Sequence, residues 1–205
     1  MSDSSVPSSL TRRLLSTATA ASVGLGAGLG VSSVGHVPAP SPEVLLAMEI
    51  GAHYEGLRFT PYRDGGGVWT VCRGITGPAV DQAARTGKRY SEAECKRLEL
   101  AHYAQAERDA RRLYRHWGSY NMWVRASMLD MLYNLGAAQV GASTHVREAN
   151  AGRLDAACAQ MLRWVWGRDA RTGQKVRWAG LVKRRNATAE ICAEWGRDGH
   201  FSAGV

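Results

Sequence analysis

Glu55-Gly56-Leu57-Arg58-Phe59-Thr60-Pro61-Tyr62-Arg63-Asp64-Gly65-Gly66-Gly67-Val68-Trp69-Thr70 is the stretch on which the reading of this chain turns. Eight residues separate the carboxylates of Glu55 and Asp64, and five separate Asp64 from Thr70. Gly56 suits the C-terminal end of a helix. Pro61 and the glycines at 65–67 suit a turn and a tight β-hairpin. A helix end running into a hairpin holds two carboxylates across a cleft. Two opposed carboxylates in different surroundings are what cutting a glycosidic bond requires.

Upstream, Pro42 and Glu43 followed by Val44, Leu45, Met48, Ile50 and Tyr54 predict a helix ending near Glu55-Gly56. Residues 58–77, rich in Gly, Val, Thr and aromatics, predict a small β unit. Ser91-Glu92-Ala93-Glu94 has the form of a capping box and opens a long helix to about Tyr114. Residues 119–135 read as a core helix through Met122, Val124, Met128, Leu129, Leu132 and Leu135. Further helices are predicted near 153–166 and 182–195, around a Gly-containing turn at 167–180. The body is therefore α+β: a small β lobe beside a larger helical lobe, with the cleft between them as the expected site.

Residues 14–37 form an uncharged run of 24, preceded by Arg12 and Arg13 and followed first by acidic Glu43. That is enough to span a bilayer as a helix, for which about 20 residues suffice. The flanking charges place the N-terminus in the cytoplasm and the body outside. Gly, Ala, Ser and Thr make up 15 of the 24, so the transfer free energy into lipid is small and an anchor of this kind can leave again. An ordinary cleaved signal peptide is the alternative. Pro38-Ala39-Pro40-Ser41-Pro42 reads as a stiff linker. The expected division is 1–13 cytoplasmic, 14–37 signal-anchor, 38–42 linker, 43–197 enzymatic domain and 198–205 tail.

The 26 Lys and Arg outnumber the 18 Asp and Glu, giving a net charge of +8. Such a surface suits nucleic acid, anionic lipid or an anionic wall polymer. No nucleic-acid recognition motif accompanies it, and none of these partners follows from charge alone. The four cysteines, Cys72, Cys95, Cys158 and Cys192, lack metal-ligand spacing, so neither a metal nor another cofactor is expected. In an oxidising compartment they allow two disulfides. Sequence locality favours Cys72–Cys95 and Cys158–Cys192 among three possible connectivities.

The block from Glu55 to Thr70 continues as Val71-Cys72-Arg73-Gly74-Ile75-Thr76-Gly77, and further blocks follow at Tyr133-Asn134-Leu135-Gly136, Asn150-Ala151-Gly152, Arg163-Trp164-Val165 and Gly180-Leu181-Val182-Lys183-Arg184-Arg185. On these residues the chain resembles the phage-type lysozymes of glycoside hydrolase family 24, over roughly residues 43–195. With its weakly apolar leader it is most similar to the signal-arrest-release endolysins of lambdoid phages. The resemblance implies a muramidase that cuts the β-1,4 bond between N-acetylmuramic acid and N-acetylglucosamine in peptidoglycan. The enzyme would be held in the host inner membrane through residues 14–37, released to the periplasm as a monomer, and linked in function to a holin or pinholin.

The resemblance also implies roles. Glu55 would be the general acid, a task that partial burial favours by keeping a carboxyl protonated. Asp64 would activate water or stabilise the transition state, Thr70 would orient the water, and Arg184 would face Glu55. Tyr62 and Trp69 read as packing residues rather than sugar platforms, and His53 as a surface or packing residue. Ile75 stands where the family usually has a histidine, which implies altered packing. Three glycines at 65–67 imply a freer loop and a less sharply placed Asp64. The competing readings are a lytic transglycosylase and a non-catalytic wall-binding membrane protein.

Overall fold

The computed structural model describes residues 39–196, together with Leu10, Arg13 and Leu14. The expected anchor beyond Leu14, and the expected tail, lie outside the described residues. Helix α1 spans Pro42–Tyr54. Ser41 caps it, its side chain accepting from Val44 N, and Pro42 sits in the first turn where its missing N–H costs nothing. Val44, Leu46, Ala47 and Ile50 bury one face of α1 in the helical lobe.

The chain then forms an antiparallel sheet in the order β1 (Arg58–Arg63), β2 (Trp69–Cys72) and β3 (Ile75–Thr76). Tyr62 pairs with Thr70 and Arg63 with Trp69. Helix α2 (Pro78–Thr86) packs on this sheet. Val71, Ile75, Val80, Ala83 and Tyr90 form its compact core, closed by the disulfide between Cys72 and Cys95. Ile75, 2 % exposed, is a filler of that core.

The long α3 (Glu92–Leu113) begins at a capping box in which Ser91 and Glu94 satisfy each other's backbone N–H groups. The centre of the helical lobe is α4 (Met122–Leu135), capped by Asn121 and buried through Val124, Met128, Leu129 and Met131. Around it lie α5 (Ala137–Gly141), α6 (Thr144–Asn150), α7 (Leu154–Gln160) and α8 (Ala179–Cys192). A second disulfide, Cys158–Cys192, ties α7 to α8. Leu10 and Leu14 are buried in this same lobe, and Arg13 pairs with Glu49 of α1 at 3.2 Å.

Three differences from the sequence reading have physical causes. The helix expected through 166 stops at Gln160, passes through a 3-10 turn at Met161–Arg163, and gives way to strand β4 (Trp166–Arg168). The expected turn at 167–180 is a hairpin of β4 with β5 (Lys175–Arg177), because Trp166, Val165 and Val176 favour strand and Asp169 and Gly173 supply the turn. Helices α5 and α6 are too brief to show a helical period, and α2 buries only Val80 and Ala83. Among the described residues no helix is long and apolar enough to cross a membrane.

Candidate active site

The two lobes meet at a cleft of about 800 Å³ lined by Glu55, Tyr62, Asp64, Thr70, Trp178 and Arg184, among others. Glu55 is the residue at which α1 stops. Its backbone is extended (φ −105°, ψ 122°) and its N–H donates to Gly51 O, so the side chain leaves the helix end and turns into the cleft. Gly74 lies opposite: a Cβ there would stand 3.7 Å from the Glu55 carboxyl carbon, and its φ of +80° favours glycine.

Behind Glu55 is a buried ionic network. Arg184 Nη1 donates to Glu55 Oε1, while Nη2 donates to Asp130 at 2.7 Å and Nε at 3.0 Å. Arg185 adds a contact to Asp130 at 3.3 Å and donates to Asn134. Arg184 is 2 % exposed and Asp130 is fully buried. Burial works against the charge on Arg184, but Asp130 and Glu55 more than offset it and hold the guanidinium protonated. Burial dominates at Arg185, pulling it down to about 10. Removing two charges from water is costly, and this cluster offsets the cost by pairing each cation with a carboxylate. Tyr103 and Tyr133, stacked at 4.1 Å, wall the network on the α3 and α4 side, and Tyr54 closes it at α1 by donating to Lys183 O at 3.3 Å.

Asp64 sits on the β1–β2 turn. Its Oδ1 accepts from Gly66 N at 2.9 Å and Val68 N at 2.8 Å, which leaves Oδ2 for the cleft. Arg63 donates to Gly67 O and stacks over Trp69 at 4.5 Å. Ala170 N, at the tip of the β4–β5 hairpin, donates to Gly65 O at 3.1 Å. The glycines serve close approach: a Cβ on Gly65 would meet the Trp178 ring at 3.2 Å, and one on Gly67 would meet Ala170 Cβ at 3.3 Å. The loop is therefore tied down on several sides, which corrects the expectation that three glycines leave Asp64 less sharply placed.

Thr70 is 3 % exposed at the cleft wall and pairs with Tyr62 across the strands. Its hydroxyl donates to Val68 O at 3.1 Å, so toward the cleft Oγ1 acts as an acceptor. Tyr62 also lines the cleft, whereas Trp69 packs on the β-lobe core and His53 is exposed. The structure thus brings Glu55, Asp64, Thr70 and Arg184 together at one cleft. The sequence reading missed Asp130, Trp178 and Gly74. Asp130 could have been noticed as a charge within an apolar helix run; Trp178 carries no local signal.

Residues 52–188 match the phage lysozyme family model. The SAR-endolysin of Enterobacteria phage P21 is 37 % identical over 143 residues, covering 70 % of this chain and 79 % of that protein. Among solved structures, the muramidase domain of SpmX from Asticaccaulis excentricus superposes with a TM-score of 0.60 at 22 % identity, over 75 % of this chain and 97 % of that one. The active form of the P1 phage endolysin Lyz gives 0.57 at 21 %, over 72 % and 82 %. At these identities the two structures establish the lysozyme-like α+β fold.

Proposed function

The chain belongs to the phage lysozyme family, and on that footing we propose that it is a muramidase hydrolysing the N-acetylmuramic acid–N-acetylglucosamine β-1,4 bond of peptidoglycan, with Glu55 as acid and Asp64 and Thr70 as the water-handling pair. The observation that carries this reading is the placement of Glu55 on the helical lobe and of Asp64 and Thr70 on the β lobe of one cleft. Glu55 delivers a proton to the leaving glycosidic oxygen. A water donating one hydrogen to Thr70 Oγ1 and the other to Asp64 Oδ2 points a lone pair away from both, toward a sugar held across the cleft. The family resemblance favours inversion, in which the second carboxylate acts as base on water. Asp130 and Arg184 fix the position of Glu55.

Export and release belong to the same proposal. Residues 14–37 hold the chain in the inner membrane, N-terminus in, and the 43–197 body works in the periplasm once freed, as the name of the P21 relative suggests for that protein. Leu10, in the expected cytoplasmic segment, and Leu14, the first residue of the expected anchor, cannot keep those places and also lie in the core of the helical lobe. Their burial therefore suits the freed form. The body fused to a strong, non-releasable anchor is expected to be inactive; full activity in that tethered form contradicts the release scheme.

Mass analysis of fragments from digested sacculi tests the bond cleaved. Hydrolysis leaves reducing N-acetylmuramic acid ends. Anhydro ends would move the reading to a lytic transglycosylase, and a folded body without turnover would leave only wall binding.

A further inference from the structure

Residues 162–177 carry five cations, Arg163, Arg168, Arg171, Lys175 and Arg177, against one carboxylate, Asp169. This short segment thus supplies half of the chain's net charge of +8. Its β4–β5 hairpin sorts side chains by the alternation of a two-stranded ribbon. Trp166 is paired with Arg177 and Arg168 with Lys175, and all four are exposed on one face. Lys175 Nζ stands 5.5 Å from the Trp166 ring centroid. Asp169 offsets one of the five cations and turns its Oδ1 into the turn, where it accepts from Arg171 N, Thr172 N and the Thr172 hydroxyl. The opposite face carries Gly167 and Val176, and a Cβ on Gly167 would lie 3.1 Å from Trp178, which lines the cleft.

We propose that the exposed Trp166–Arg168–Lys175–Arg177 face is a docking surface for the carboxylate-bearing peptides of the peptidoglycan network, beside the cleft and separate from it. It rests on the reading of the cleft as a muramidase site. Charge complementarity and continuity with the cleft rim argue for this partner: the polymer whose glycan enters the cleft carries its carboxylates on side branches within reach of the hairpin. One aromatic among three cations offers too little apolar surface to enter a bilayer, which argues against a lipid partner. Because Ala170 N holds Gly65 O at 3.1 Å, a peptide seated on the hairpin also steadies the Asp64 loop.

The test uses the full chain carrying Glu55→Gln, which is to bind sacculi without digesting them, in cosedimentation at low and high salt. Adding Trp166→Ala, Lys175→Gln and Arg177→Gln is expected to weaken binding at least about tenfold at low salt and to flatten its salt dependence. Sacculi stripped of peptides by an amidase are expected to lose the same factor with the parent protein. Unchanged binding by the triple variant, or undiminished binding of the parent to stripped sacculi, overturns the proposal. So does a loss confined to phosphatidylglycerol vesicles, which would make the face a lipid-binding one. If the triple variant melts early, the pair Lys175→Gln and Arg177→Gln is read instead, against a charge-retaining Lys175→Arg control. The muramidase reading is scored separately, since Glu55-intact protein that yields no reducing ends from sacculi refutes it whatever the binding shows.

Discussion

Arg184 joins the proposed acid to a carboxylate that never meets solvent: its Nε and Nη2 are bound to Asp130 at 2.7 to 3.2 Å, while Nη1 holds Glu55. The guanidinium is thereby fixed in plane and its charge shared. Glu55 faces a positioned donor rather than a free cation. Around it stand Tyr54 from α1, Tyr62, Arg58 and Asp64 from the β lobe, Tyr103 from α3, Tyr133 from α4 and Arg185 from α8.

Replacing Asp130 by Asn leaves Arg184 and Arg185 with Glu55 as their only carboxylate in the network. A buried pair broken in this way costs about 3–5 kcal/mol, readable by chemical denaturation. With Glu55 left to balance both cations, its carboxyl is drawn out of place, so kcat is expected to fall by about tenfold with KM little changed. A stability loss with wild-type kcat would reduce Asp130 to a packing role.

Gly67 tests the tie between loop and hairpin. Its φ is +80°, and a Cβ would crowd Ala170 at 3.3 Å. Gly67→Ala is expected to cost about 1 kcal/mol in stability and to lower kcat by about tenfold with KM little changed, through a displaced Asp64. Wild-type kcat in this variant would show that the tie is irrelevant to turnover.

How much of this was legible in the sequence follows from the range of each interaction. Glu55, Asp64 and Thr70 lie within 16 residues, and local turn chemistry brings them together, so their spacing announces the site. The capping box at Ser91 and the apolar run of α4 were readable for the same reason. Asp130 and Trp178 reach the site through tertiary packing alone. The β4–β5 hairpin reads as a plain turn in the sequence because its strands have three residues each, too few to display alternation. Its role in steadying the glycine loop was invisible, since the contact from Ala170 to Gly65 spans more than a hundred residues.

His145 makes stability depend on pH. It is fully buried, with Nδ1 2.8 Å from Ala157 O and Nε2 2.9 Å from the Tyr114 hydroxyl. Burial lowers its pKa below 6.5, with the Ala157 contact opposing. The unfolded chain takes up a proton near pH 6.5 that the native state refuses. Stability from this group is therefore complete above that pH and falls as pH drops toward the lowered native value. Half-buried His102 acts in the same direction. Tm is expected to decline from pH 7 to pH 5, and His145→Gln to flatten the decline. An equal slope in that variant assigns the effect elsewhere.

The most direct test of the account is sacculus hydrolysis by wild type beside Glu55→Gln. Arg184 stays paired with Asp130 in the variant, so its Tm is expected to hold within a few degrees. Its kcat is expected to fall by a factor of about 10² or more, with the loss of reducing-end fragments. A folded Glu55→Gln protein that digests sacculi at the wild-type rate would contradict the assignment of Glu55 as the acid, and with it the reading of the cleft.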